Sequence, residues 1–300
     1  MHNARYLIFF QYIGTKYGGA AKVPQNCEVK GIQNYLEDAI RNLMPVNPVH
    51  LSLSSRTDKG VHAFSNSAHF DLQRRNNRMP FPEDTIVEAL NHYLKCERIR
   101  INRAIRVPDD FHARFRAQSR TYVYRIALGV PNRGLLPLTD CKLCWELHKT
   151  ELDVAAMHEA ATLLVGTQDF STFRAVNSDI SFRNPVKTLD MVTIQPGVSC
   201  AQAHFQREIS FLELTFKSRS FLYQQVRRMT GALVAVGLGR LAVPQMKEIL
   251  EARDTLAFPK NMTAPPCGLF LTRVDYDESD LQLSKQTTED QITSSGNSED

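Results

Sequence analysis

The chain has 300 residues, 43% of them apolar and 23% charged, with a net charge of +4, a composition that fits one large globular domain or two ordinary ones. No apolar run approaches the roughly 20 residues of a membrane-spanning helix. The six cysteines, Cys27, Cys96, Cys141, Cys144, Cys200 and Cys267, are too scattered along a long chain for a secreted disulfide framework.

In chain order, Tyr6–Tyr12 reads as a strand, and Arg5-Tyr6-Leu7-Ile8-Phe9-Phe10 is too short an apolar run for a signal peptide. Without a signal peptide an intracellular location is expected, mitochondrion or cytoplasm, although no mitochondrial presequence is visible. The 3.6-residue period predicts a helix over Ile32–Leu43, with Leu36, Ala39, Ile40 and Leu43 on one stripe. Strands follow at Val49–Leu53 and Ser67–Leu72, a helix at Glu83–Leu94, and strands at Ile99–Val107 and Thr121–Leu128. Residues 129–149 carry Pro131, Gly134 and Pro137 and read as a loop. Beyond it come a helix (Leu152–Leu164), strands (Lys187–Ile194, Ile209–Lys217), helices (Phe221–Val236 and Pro244–Ala252) and a strand (Gly268–Val274). Pro244 suits a first helical turn.

This mixture predicts an α+β fold with mainly antiparallel sheets. The same strand and helix order recurs loosely after Thr121, which suggests two related halves, residues 1–110 and 111–276. Asp277 to Asp300 hold seven acids against Lys285, a net −6 that leaves +10 on residues 1–276. That tail is rich in Ser, Thr and Gln, so disorder is expected over 277–300. A basic body suits a polyanionic partner.

Few stretches carry chemistry by pattern. Cys141-Lys142-Leu143-Cys144 has no second pair at zinc-ribbon spacing, so reduced structural thiols are the favoured reading. Gly237-Leu238-Gly239 lacks a preceding strand and a third glycine, which excludes a dinucleotide fingerprint. Nothing calls for an organic cofactor. The stretch Ser54-Ser55-Arg56-Thr57-Asp58-Lys59-Gly60-Val61-His62-Ala63 sets an acid between two cations on a loop between strands. It reads either as a solvated turn or as an active-site loop, and spacing alone does not decide. Gly60 permits a positive φ there. Arg74, Arg75 and Arg78 form a basic cluster that suits either RNA or solvent.

Arg56-Thr57-Asp58-Lys59-Gly60-Val61-His62-Ala63 resembles the RTDAGVHA signature of the TruA family of tRNA pseudouridine synthases. Four further segments resemble that family's motifs in the same order. They are Phe111-His112-Ala113-Arg114 with Ser119 to Arg125, Asp169 to Arg174, Phe221 to Gly231, and Gly268-Leu269-Phe270-Leu271. The match runs from residue 5 to about 275. It implies the pseudouridine synthase fold, two similar halves joined around a basic catalytic cleft, and conversion of uridine to pseudouridine without metal or cofactor. It implies transfer RNA as partner, by family default in its anticodon stem-loop, no membrane, and a homodimer.

By resemblance Asp58 is the catalytic aspartate, acting as nucleophile at C1′ or C6 or as the base that removes a sugar proton. Arg227 pairs with it, and Arg56 holds the displaced backbone of the flipped nucleotide. Tyr122 stacks on the target base and Leu269 packs on its other side, whereas Arg114, Arg120 and Arg174 reach phosphates. Without the family pattern, Tyr122 and Leu269 read as core and the arginines as surface.

Three departures stand out. Lys59 replaces a small Ala, and Tyr12 to Ala20 lacks the acid and the Trp-Gln of the family's YDGTxYxGWQ. Thr121 stands where bacterial members carry an arginine. The rival reading is a non-catalytic RNA-binding protein that retains the fold, but binding alone has no use for Asp58. A metal-dependent nuclease lacks the carboxylate cluster it needs.

Overall fold

The computed structural model describes residues 3–24, 26–130, 136–176, 184–199 and 209–283. Ten strands form one sheet among the described residues. The first half supplies β1 (Asn3–Tyr12), α1 (Ile32–Arg41), β2 (Ser52–Leu53), β3 (His62–Gln73), α2 (Glu83–Tyr93) and β4 (Ile99–Val107). The second supplies β5 (Ala117–Leu128), β6 (Trp145–Leu147), α3 (Val154–Thr162), β7 (Gly166–Asp169), β8 (Val186–Gly197) and β9 (Ser210–Ser218). It closes with α4 (Gln225–Gly237), α5 (Val243–Glu251), β10 (Leu269–Tyr276) and the single turn α6 (Glu278–Leu281).

The main path of the sheet is β4-β1-β3-β10-β5-β9-β8-β7, with β2 beside β3 and β6 beside β5. β4-β1-β3-β2 and β10-β5-β9-β8 are each consecutive antiparallel neighbours, so the second half repeats the pairing of the first. They join at β3 and β10, a parallel pair in which Phe270 faces His62 and Leu271 faces Ala63. This is the expected α+β architecture of two similar halves with joined, mainly antiparallel sheets.

Side-chain alternation along the strands puts Tyr6, Ile8 and Phe10, with Tyr124, Ile126, Leu214 and Phe216, into one core. Five helices cover it with stripes such as Ile32, Leu36 and Ile40 of α1 and Met229 and Leu233 of α4. Burying each such side chain stabilises the fold by about 1.5–3 kcal/mol. A smaller cluster of Leu7, Val107, Phe111 and Ala113 lies outside that core, with Leu281 of α6 packed on it.

Several predicted boundaries move, some through distant partners and some through local capping. β3 starts at His62, five residues earlier than expected, because its first residues find partners on β10, some 200 positions away. α4 starts only at Gln225: Gln224 sits in the left-handed region (φ 55°), and the Gln225 side chain accepts the Leu222 amide at 2.7 Å. Within the segment read as loop, Trp145–Leu147 forms β6 against Ile126–Leu128. The expected disorder over 277–300 is corrected at its start, where Asp277 caps α6 and Asp280 pairs with Arg116 at 3.0 Å. Residues 284–300 and Cys200, Pro131 and Gly134 lie outside the described residues.

Candidate active site

The loop carrying Asp58 runs from β2 to β3 across the floor of an open cleft of about 1040 Å³, at the upper end of small-molecule pocket sizes. Its path is held from below. The Thr57 hydroxyl lies 2.8 Å from the buried Tyr12 hydroxyl, and the Ala20 amide donates to the Thr57 carbonyl at 3.0 Å. Gly19 makes this approach feasible: its φ is +100°, and a Cβ there would lie 2.9 Å from the Thr57 carbonyl oxygen. The Tyr12–Ala20 segment therefore supports the loop although it lacks the acid and Trp-Gln of the family pattern. Gly60 adopts φ +82°, as the turn requires, and the Val61 amide closes it on the Asp58 carbonyl at 3.2 Å.

Arg227, in the first turn of α4, reaches across the cleft. Its Nη1 donates to Asp58 Oδ2 at 3.1 Å and its Nε to the Ala264 carbonyl at 2.8 Å. Both side chains are largely buried, 13% and 20% exposed. Asp58 Oδ1 accepts no hydrogen bond among the described residues, so one oxygen is held and the other is left to the cleft. Burial pushes the Asp58 carboxyl above its usual range, against the pull of the Arg227 charge and hydrogen bond. Arg56 and Lys59, the two cations that flank Asp58 in sequence, are exposed, and neither contributes to that shift. Lys59 is exposed and lines the cleft.

Tyr122 projects from β5 and packs edge-on against Phe221, ring centroids 5.2 Å apart. Leu269 opens β10, the neighbouring strand, and both side chains line the cleft with Asp58 and Arg227. Burial raises the Tyr122 hydroxyl pKa, so the ring stays neutral. The described walls carry six cations, Arg56, Lys59, Arg114, Arg120, Lys187 and Arg227, against one acid, Asp58. A cleft of this sign attracts a polyanion.

Two of the expected phosphate contacts are not placed for that role. Arg120 is only 7% exposed, and all five of its guanidinium hydrogens are spent inside the protein. They go to Ser55 Oγ and to the carbonyls of Ser54, Arg114, Ala117 and Arg219. Arg120 is therefore a clamp that ties β5 to the start of the Asp58 loop, not a forked donor to phosphate. Arg174 does not line the cleft; its carbonyl, with that of Thr172, accepts from Arg228. Arg74 of the other basic cluster lies 3.8 Å over the Phe81 ring, away from the cleft. Thr121 stands on the opposite face of β5 from Tyr122 by strand alternation, so the missing arginine there leaves this cleft lining unchanged.

Sequence reasoning passed over Lys187, Gln224, His112 and Phe115, all on the cleft wall. His112 and Gln224 lay inside quoted motifs and Phe115 directly after one, whereas Lys187 only opened a predicted strand. Cys144 is buried with its thiol on the Asp140 carbonyl, and among the described residues no group of His, Cys, Asp or Glu is placed to hold a metal ion. No described helix is long and apolar enough to cross a membrane.

With this geometry in place, comparison with known proteins is specific. A family model described as tRNA pseudouridine synthase matches residues 8–116 and 160–277. The tRNA pseudouridine synthase-like 1 of Xenopus laevis is 51% identical over 94% of this chain and 95% of its own length. That of Homo sapiens is 50% identical over 91% and 90%. The bacterial tRNA pseudouridine synthase A of Paramagnetospirillum magneticum is 39% identical over 92% of this chain and 96% of its own.

Proposed function

The chain belongs to the tRNA pseudouridine synthase family, and from that premise we propose that Asp58 is the carboxylate through which it isomerises uridine, in the anticodon stem-loop of transfer RNA. It is a tRNA pseudouridine synthase, an isomerase acting in tRNA processing. The observation that carries the assignment of Asp58 is its ionic contact with Arg227 at 3.1 Å, with Oδ1 left open, on the floor of a cleft whose other charges are positive.

The reaction breaks the N1–C1′ bond and makes a C5–C1′ bond. C5 gives up a proton and N1 gains one, with no net oxidation. Oδ1 suits either route: attack at C1′ or C6, or removal of a sugar proton to give a glycal. Both need ionised Asp58, which Arg227 favours while also fixing the carboxylate's orientation. A uridine taken out of its stack needs new apolar walls. Tyr122 offers one face and Leu269 the other, and such aromatic stacking is worth about 1–3 kcal/mol per base. Arg56, Arg114, Lys59 and Lys187 on the walls suit phosphates, so RNA binding should weaken steeply with salt.

In this reading residues 1–110 and 111–276 are the two halves that close on the RNA, two copies of the chain pair around it, and the enzyme resides in the mitochondrion or cytoplasm. The test is tritium release from an unmodified transfer RNA transcript carrying C5-tritiated uridine, followed by mapping of the pseudouridine formed. Release mapped to the anticodon stem-loop is expected. Tight binding without release would favour the non-catalytic RNA-binding protein, and modification elsewhere would overturn the stem-loop assignment.

A further inference from the structure

The turn that precedes β5 carries an aromatic side chain with no role in the chemistry above. Phe115 is 69% exposed, yet it lines the same cleft as Asp58. Its position is not that of a loose loop. The Arg114 amide donates to His112 Nδ1 at 3.2 Å, and the Phe115 and Arg116 amides donate to the His112 carbonyl at 3.1 and 2.9 Å. The Arg114 carbonyl is gripped by the buried Arg120, and Arg116 is paired with Asp110 and Asp280. The ring is thus presented to solvent from a turn fastened on both sides.

Its neighbours form a platform. The His112 ring lies 4.3 Å from it, tilted by 36°, and the Arg114 guanidinium lies 5.8 Å from its centroid. Burial lowers the His112 pKa, so that ring presents a neutral face. Exposing a large apolar ring costs free energy unless something covers it. In a wall otherwise rich in Arg and Lys, the covering surface should be flat, apolar on its face and attached to anions. An unpaired nucleobase fits that description.

We propose that Phe115, flanked by His112 and Arg114, is a second base-stacking subsite that holds an unpaired base of the RNA beside the target uridine. It is separate from the Tyr122 pocket. Phe115 lies on the turn two residues before β5 and Tyr122 five positions into that strand, roughly 17 Å of strand further on, so the stacked base is a different nucleotide from the target. The subsite contributes grip and register on the RNA rather than bond-making. This inference rests on the cleft being the RNA site.

The test compares wild type, Phe115→Leu and Phe115→Trp on an unmodified transfer RNA transcript, by filter binding and by tritium release. Phe115→Leu should weaken binding and raise KM about tenfold, within the range lost with one base–aromatic stack, with the loss falling on KM rather than kcat. Phe115→Trp should restore both to within about threefold. Leu binding as tightly as wild type, or Trp no better than Leu, would overturn the subsite. So would a change in sedimentation with Leu, since that would assign the ring to a contact between copies of the chain. Absence of tritium release by wild type would instead defeat the catalytic reading, and the binding series would still decide this one.

Discussion

Two Arg–Asp pairs in this molecule differ in a way that separates structure from chemistry. On the first half of the sheet, Arg5 and Asp71 face each other directly across β1 and β3. Arg5 Nε and Nη2 grip both carboxylate oxygens at 2.7 and 2.8 Å, so Asp71 is fully engaged. On the cleft floor Arg227 holds Asp58 through one nitrogen and one oxygen, in a more buried setting, and Oδ1 stays open. A forked, half-exposed pair fixes strand register. A single-contact pair in a desolvated cleft keeps a carboxylate oriented and reactive.

The sharpest way to break this comparison is to remove the two acids in turn. Asp58→Ala should cut tritium release by about 10³-fold or more, whereas Asp71→Asn should leave turnover intact. Arg227→Met should lower kcat/KM by about 10²-fold. It should also move the acid limb of the pH–rate profile upward, because the Arg227 charge and hydrogen bond oppose the burial that raises the Asp58 pKa. In wild type, activity should fall as pH drops through that raised Asp58 pKa; a limb lying below the ordinary carboxylate range would contradict the geometry.

Arg120→Met strips five hydrogen bonds from buried carbonyls and Ser55, and should cost about 3 kcal/mol in urea unfolding without shifting the pH–rate limb. His62 and His69, both on β3, add a pH-dependent effect on stability that is separate from the Asp58 limb. Burial lowers each pKa from 6.5 to about 4. His62 Nδ1 accepts the Gly14 amide at 3.0 Å, which requires the neutral ring. The unfolded chain takes up these protons below pH 6.5 and the folded one only near 4. Stability should therefore be complete above about 6.5 and lost as pH falls toward 4, by on the order of 3 kcal/mol for each ring. Thermal melts across that range check it. The smallest effect is the stability loss of Asp71→Asn, about 1 kcal/mol or less for a partly exposed pair.

Much of this architecture was legible before the structure. The stripe of α1 and the alternation of β1, β4 and β5 follow from local periodicity, and Asp58, Tyr122, Arg227 and Leu269 followed from motifs that also converge in space. What stayed hidden depends on partners distant in sequence. The start of β3 is set by β10, and β6 is too short to show a period. Arg120 belongs to a basic motif, and only its burial against carbonyls from four segments shows that it clamps the protein itself. Phe115 follows a motif in sequence, but only its exposure sets it apart from core aromatics.

The central claim is tested most directly under single-turnover conditions, with enzyme in excess over C5-tritiated transfer RNA transcript and Asp58→Asn compared with wild type. Binding of the transcript to both proteins is measured alongside. The account predicts similar binding, prompt release by wild type and none by Asp58→Asn. Release by Asp58→Asn at the wild-type rate would contradict it and move the chemistry to another residue.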